Sequence, residues 1–261
     1  MTLPPLDANY PVIPFDPTRK PTPTRWVYKR TWMLGKINGV FGPEKSGKSR
    51  VICWMMAGLY SNDEPKLGFR RDTAPEKWLY LAGEETIEDV TARIASYIDF
   101  MGGGGPPPIH FINAAGMRLD QQRKRLELEK YLVTHNYDGL VIEPLRRVHS
   151  GDEDNNTAMA PVMNDLRRWS NAFGITTLLC HHTGKLNEFA DVNRIATWSR
   201  GATDIAAILD CAMFVEERAR VPGKRIMRLL RAGRFPPVAP CYLDDHGDPS
   251  EGGLGFKGVK V

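Results

Sequence analysis

INGVFGPEKSGKSRVICWMMAGLY, residues 37–60, decides the fold. Ile37 to Phe41 is a short apolar run of strand length. Residues 47–60 read as the helix that follows. At their junction, residues 42–49 read Gly-Pro-Glu-Lys-Ser-Gly-Lys-Ser, a complete GxxxxGK[ST]. Its glycines let the backbone wrap so that consecutive N–H groups point at phosphate oxygens, at the positive end of the following helix. Lys48 is placed to bridge terminal phosphates and the Ser49 hydroxyl to ligate Mg²⁺. Gly42, Glu44, Lys45, Ser46, Gly47, Lys48, Ser49 and Arg50 are the expected nucleotide-contacting set, with Lys45 directed either to the phosphates or to solvent. The reading is binding of ATP with Mg²⁺.

Outward from this segment, strands and helices alternate. WLYLA (78–82), residues 109–112, GLVIE (139–143) and ITTLLC (175–180) read as strands. Helical stripes follow at Ile87–Met101, with Thr86 as N-cap, at about Leu119–His135, and from Met159 to Phe173. GGGGPPP (102–108) is loop. Near-continuous apolar strands separated by helices predict an α/β fold, a mostly parallel sheet covered on both faces. Strands near 210–216 and 225–231 around Pro222-Gly223 predict a C-terminal β-hairpin extension. Residues 1–25 hold seven prolines and read as an extended arm; 26–261 read as one domain.

Composition narrows the classes. The chain has 261 residues, 42% hydrophobic and 25% charged, which suits a globular domain. No apolar run nears the ~20 residues of a membrane helix, and no secretory signal is visible. Cys53, Cys180, Cys211 and Cys241 form no CxxC pair, so reduced thiols and a cytoplasmic location are expected. Six basic and no acidic residues lie between Arg19 and Lys36, and seven and none between Arg218 and Arg234. Such clusters suit either a polyanion or solvent.

Hydrolysis asks for carboxylates at strand ends. Glu143, ending GLVIE, is the candidate to hold the metal through water. A carboxylate that orients the attacking water is expected at Glu84 or Glu85, just after WLYLA; Glu84 is preferred, on a strand expected to lie beside the phosphate-loop strand.

Taken together these segments resemble the RecA-like ATPases and, within them, the hexameric replicative helicases of the plasmid RepA type and their phage relatives. The resemblance spans about Trp26 to Pro237. It rests on the phosphate loop, YLAGEE (80–85), IEPLRRVHSGDEDNN (142–156), His181-His182 and RGATD (200–204). It implies Glu84 as general base, Glu143 where that family has Asp, and His181 and His182 as a γ-phosphate sensor. It implies a DNA-binding loop from Thr183 to Ser199 offering Lys185, Arg194 and Trp198, although Trp198 also suits simple packing. It implies an arginine finger from a neighbouring subunit, Arg234, with Arg231 as a second basic contact. The implied function is a homo-hexameric motor on single-stranded DNA, a replicative helicase working with replication accessory proteins. A RecA-like ATPase without unwinding activity, and a nucleotide-gated switch impaired by Glu143, are the alternatives.

Overall fold

The run Ile37–Gly42 is buried along its whole length, as a strand covered on both faces must be. The structure is a computed structural model. It describes residues 16–18, 20, 22–63, 70–150, 156–183, 205, 207–221, 224–233, 238–245 and 256–259. In chain order the elements are β1 (Trp26–Tyr28), β2 (Trp32–Met33), β3 (Ile37–Gly42), α1 (Lys48–Tyr60), β4 (Trp78–Ala82) and α2 (Ile87–Phe100). Then come β5 (Ile109–Asn113), α3 (Gln122–Thr134), β6 (Gly139–Glu143), a 3-10 turn (Leu145–Val148), α4 (Asn156–Phe173) and β7 (Thr176–His182). The chain closes with β8 (Cys211–Val221), β9 (Lys224–Gly233), β10 (Val238–Asp245) and β11 (Phe256–Val259).

Nine of these strands form one sheet in the order β11-β10-β9-β8-β3-β7-β6-β4-β5. From β8 to β5 every pairing is parallel; from β8 to β11 every pairing is antiparallel. The expected hairpin at Pro222-Gly223 is the β8–β9 pair, longer than its apolar runs suggested, and β10 and β11 extend it. One expectation is corrected. The neighbours of the phosphate-loop strand β3 are β7 and β8, whereas β4, which leads to Glu84, stands beyond β7 and β6. Adjacency along the sequence does not set order across a sheet.

Strand period sorts the core into two layers. Val40, Tyr80, Val141, Leu178 and Cys180 face α1 and α2 with Val51, Trp54, Ile94 and Tyr97. Phe41, Leu79, Leu81, Ile142 and Leu179 face the other way, against Leu128, Leu166 and Trp169 of α3 and α4. Thr86 caps α2 as its sequence implies, accepting from the Asp89 N–H at 3.1 Å. Phe173, at the end of the α4 stripe, is instead exposed.

Asn38 anchors the turn that launches β3. Its Oδ1 accepts from Met33 N–H at 2.7 Å, and its amide donates to the carbonyls of Met33, Lys36 and Thr177. Asn38 is 1% exposed. Truncation strands buried backbone groups that water cannot reach. Asn38→Ala is expected to lower stability by roughly 2–3 kcal/mol, read as a lower urea midpoint at unchanged slope.

Candidate active site at the carboxyl edge of the parallel strands

Parallel strands end together, so β3, β4, β6 and β7 deliver their C-terminal residues to one edge. There a cavity of about 310 Å³ is lined by Lys48, Ser49, Glu84, Glu85, Glu143 and His182, among others. The phosphate loop forms its floor. A side chain at Gly42 would meet the Val215 carbonyl oxygen at 2.2 Å, so only glycine lets the loop leave the strand here. Helix α1 starts after Gly47 with no side-chain cap and no acidic residue in its first turn. Its first N–H groups therefore face the cavity open to an anion. Of the expected contact set, Lys45, Gly47, Lys48, Ser49 and Arg50 line the cavity. Ser46 is buried, its hydroxyl without a hydrogen-bond partner among the described residues, and Glu44 is exposed.

Lys48 is folded onto its own loop. Its ammonium donates to the carbonyls of Gly42 (3.0 Å) and Pro43 (2.7 Å) and lies 3.2 Å from His182 Nδ1. Burial pushes its pKa below the usual lysine range, against the pull of Cys180 and of the Glu143, Glu84 and Glu44 carboxylates. Burial, reinforced by the Lys48 charge, likewise lowers His182, which favours a neutral ring whose Nδ1 accepts from Lys48. His182 Nε2 stands 3.9 Å from Glu84 Oε2. The ring thus links the phosphate-loop lysine to the strand-end acid.

Glu143 is 7% exposed, and neither carboxylate oxygen has a hydrogen-bond partner among the described residues. Burial raises its pKa to about 7, with the Ser49 hydroxyl and the Lys48 charge pulling it back. An orphaned buried carboxylate beside a serine hydroxyl fits a hard divalent cation, which takes oxygen ligands. Glutamate in place of aspartate does not move this group out of the site.

The adjacent acids part company. Glu84 Oε1 accepts from Arg147 Nε at 3.0 Å, while Glu85 pairs with Arg93 of α2. Both line the cavity. The histidines part as well, because successive strand residues point to opposite faces. His182 enters the cavity; His181 is fully buried on the other face, edge-on to Phe41 at 5.8 Å between ring centroids. Lys185, Arg194, Trp198 and Arg234, like the arm residues 1–15, lie outside the described residues. Arg231 is described and donates to Thr31 Oγ1 at 3.5 Å.

Residues 11–188 match the family of AAA domains, more than half of the chain. The chain belongs to that family. No curated protein matches its sequence. Among solved structures, a KaiC-like protein from the hyperthermophilic archaeon Pyrococcus horikoshii is similar, at a TM-score of 0.58 and 12% identity over 91% of this chain and 100% of that one. A solved ATPase domain is also similar, at a TM-score of 0.61 and 10% identity, covering 89% of this chain and 86% of its own. The fold of this AAA-family chain is the RecA-like P-loop NTPase fold, and the family membership supports a nucleotide-binding ATPase. No helix among the described residues is long and apolar enough to cross a membrane.

Sequence reading missed Arg147 as the partner of Glu84. Its signal was the basic pair Arg146-Arg147 directly after the Glu143 strand.

Glu143 carries a pH prediction for the nucleotide-free, metal-free protein. Its folded pKa, about 7, stands above its ordinary 4.5. The folded state therefore binds the proton more tightly, and this contribution to stability is lost as pH rises from about 4.5 to about 7. Glu143→Gln is expected to flatten that loss and to raise Tm at pH 8 more than at pH 5. Equal shifts at both pH values contradict it.

Proposed function

We propose that this AAA-family chain is a ring-forming, ATP-driven motor acting on single-stranded DNA, a replicative helicase of the RepA type. The observation that carries the reading is the cavity that unites Lys48, Ser49, an orphaned Glu143, Glu84 and His182. ATP phosphates would replace the loop carbonyls as partners of Lys48. Ser49 and Glu143 would hold Mg²⁺, which when bound neutralises charge on the phosphate oxygens. Glu84 would orient the attacking water, and His182, touching both Lys48 and Glu84, would report the state of the terminal phosphate to the chain beyond Thr183. Lys185, Arg194 and Trp198 are the proposed strand contacts on that stretch.

An intersubunit site accounts for the finger assignment. On β9, Arg231 pairs with Met213 and Gly233 with Cys211, and Cys211 stands beside Asn38 near the start of β3. The chain thus approaches Arg234 while moving away from its own phosphate loop. In the proposed ring Arg234 would serve a neighbour's nucleotide, and such a group is worth about 10³–10⁵ in rate.

Magnesium-dependent ATP turnover with and without an oligo-dT strand tests the reading. Lys48→Ala is expected to abolish turnover. Glu84→Gln should keep ATP binding and lose about 10²–10⁴-fold in rate; a loss in Glu85→Gln instead would transfer the role to Glu85. Arg234→Ala should bind ATP yet hydrolyse poorly, and mixing it with Lys48→Ala protein should restore some turnover. Strand displacement on a forked duplex separates a helicase from an ATPase that only moves along the strand.

A further inference from the structure

A second cavity, of about 360 Å³, adjoins the first. Among the described residues its lining includes Gly83, Arg118, Arg146, Arg147, His149 and Ser150, and no Asp or Glu. Three segments distant in sequence supply these groups: the turn after β4, the loop after β5 and the 3-10 turn after β6. Three guanidinium groups around one pocket match the donor set that phosphate oxygens take, since Arg presents paired N–H groups to them. The Ser150 hydroxyl and N–H at its edge are held by the Asp120 carboxylate, at 2.6 and 3.3 Å.

The wall between the two cavities is Arg147. It lines the basic pocket, and its Nε donates to Glu84 Oε1, which lines the nucleotide cavity. Its stem is fixed by close packing. A Cβ on Gly83 would stand 2.7 Å from Arg147 Cβ, and Gly83 N–H donates to the Glu143 carbonyl at 2.8 Å. The Arg147–Glu84 pair itself is exposed, with side chains 58% and 40% accessible. Exposed ion pairs of this kind are weak. A phosphate group in the pocket competes for the same guanidinium.

We propose that this pocket binds a backbone phosphate of single-stranded nucleic acid, and that its occupancy draws Arg147 from Glu84 and so switches on hydrolysis. With Arg147 on Oε1, the Glu84 carboxylate is held toward the basic pocket and one of its acceptor sites is taken; with Arg147 on a phosphodiester, the carboxylate is free to turn toward the attacking water. Arg147 is thus a positioning residue, and the coupling rests on the motor reading above. The strand contacts proposed there lie beyond Thr183; this site is separate from them and is reached from the loops after β5 and β6.

The test is equilibrium binding of fluorescent oligo-dT across a salt series, with ATP turnover measured with and without the strand. For single strands, the slope of log K against log salt is about −0.7 per phosphate neutralised. Arg118→Ala/Arg146→Ala is expected to bind oligo-dT more weakly, with a slope shallower by roughly 0.7 for each phosphate no longer neutralised. Its ratio of stimulated to unstimulated turnover should fall toward one, and Arg118→Lys/Arg146→Lys should recover much of the slope. Arg147→Ala is expected to raise strand-free turnover by up to about fivefold, the factor an exposed ion pair can hold back, and to lose further response to oligo-dT. A double-alanine variant with wild-type slope and stimulation overturns this proposal and leaves the motor reading intact. So does stimulation by inorganic phosphate equal to that by oligo-dT. Wild-type protein that neither binds nor responds to oligo-dT overturns the motor reading and this proposal with it.

Discussion

Glu143 is a carboxylate sealed into the sheet edge with no hydrogen-bond partner among the described residues, a short distance from a buried lysine that is itself folded onto its own loop. Burying a lone carboxylate is costly, and such a group shifts its pKa or meets a cation. The surrounding structure is arranged around that buried carboxylate and lysine. The parallel register of β6 and β7 brings Glu143 and His182 to the same edge, and α1 lays Lys48 and Ser49 against them. In the proposed function, phosphates on Lys48 and a metal on Glu143 would resolve that tension. A nucleotide site built in this way is poised for its ligand.

The two acids that follow β4 are each held by an arginine. Glu85 is tied to Arg93 of the helix beside it, whereas Glu84 is tied to Arg147 of the turn that follows the Glu143 strand. The first pairing is local to one side of the cavity. The second joins the edge acid to a separate basic pocket, the contact through which the proposed strand coupling would act.

Local chemistry was legible in the sequence; relations between distant segments were not. The phosphate loop could be read because strand, loop and helix are contiguous and each step is dictated by nearby residues. Thr86 as a cap was legible for the same reason. The position of β4 in the sheet was not, because sheet order is set by crossovers that leave no mark on the strand's own composition. His181-His182 looks like one unit in the sequence, yet a two-residue strand period sends one ring to the cavity and the other to the Phe41 side. The short β1 and β2 carry too few residues to show a period, and β10 and β11 follow a stretch rich in turn residues. The basic pocket draws on three segments, and its charge is invisible until the fold gathers them.

In the proposed motor, nucleotide binding, a neighbour's arginine and a single DNA strand belong to one assembly. The native mass of the particle formed with a non-hydrolysable ATP analogue, Mg²⁺ and oligo-dT tests this most directly. The expected result is a hexamer carrying one strand, lost in Lys48→Ala protein. A monomer at every nucleotide and strand condition would contradict it.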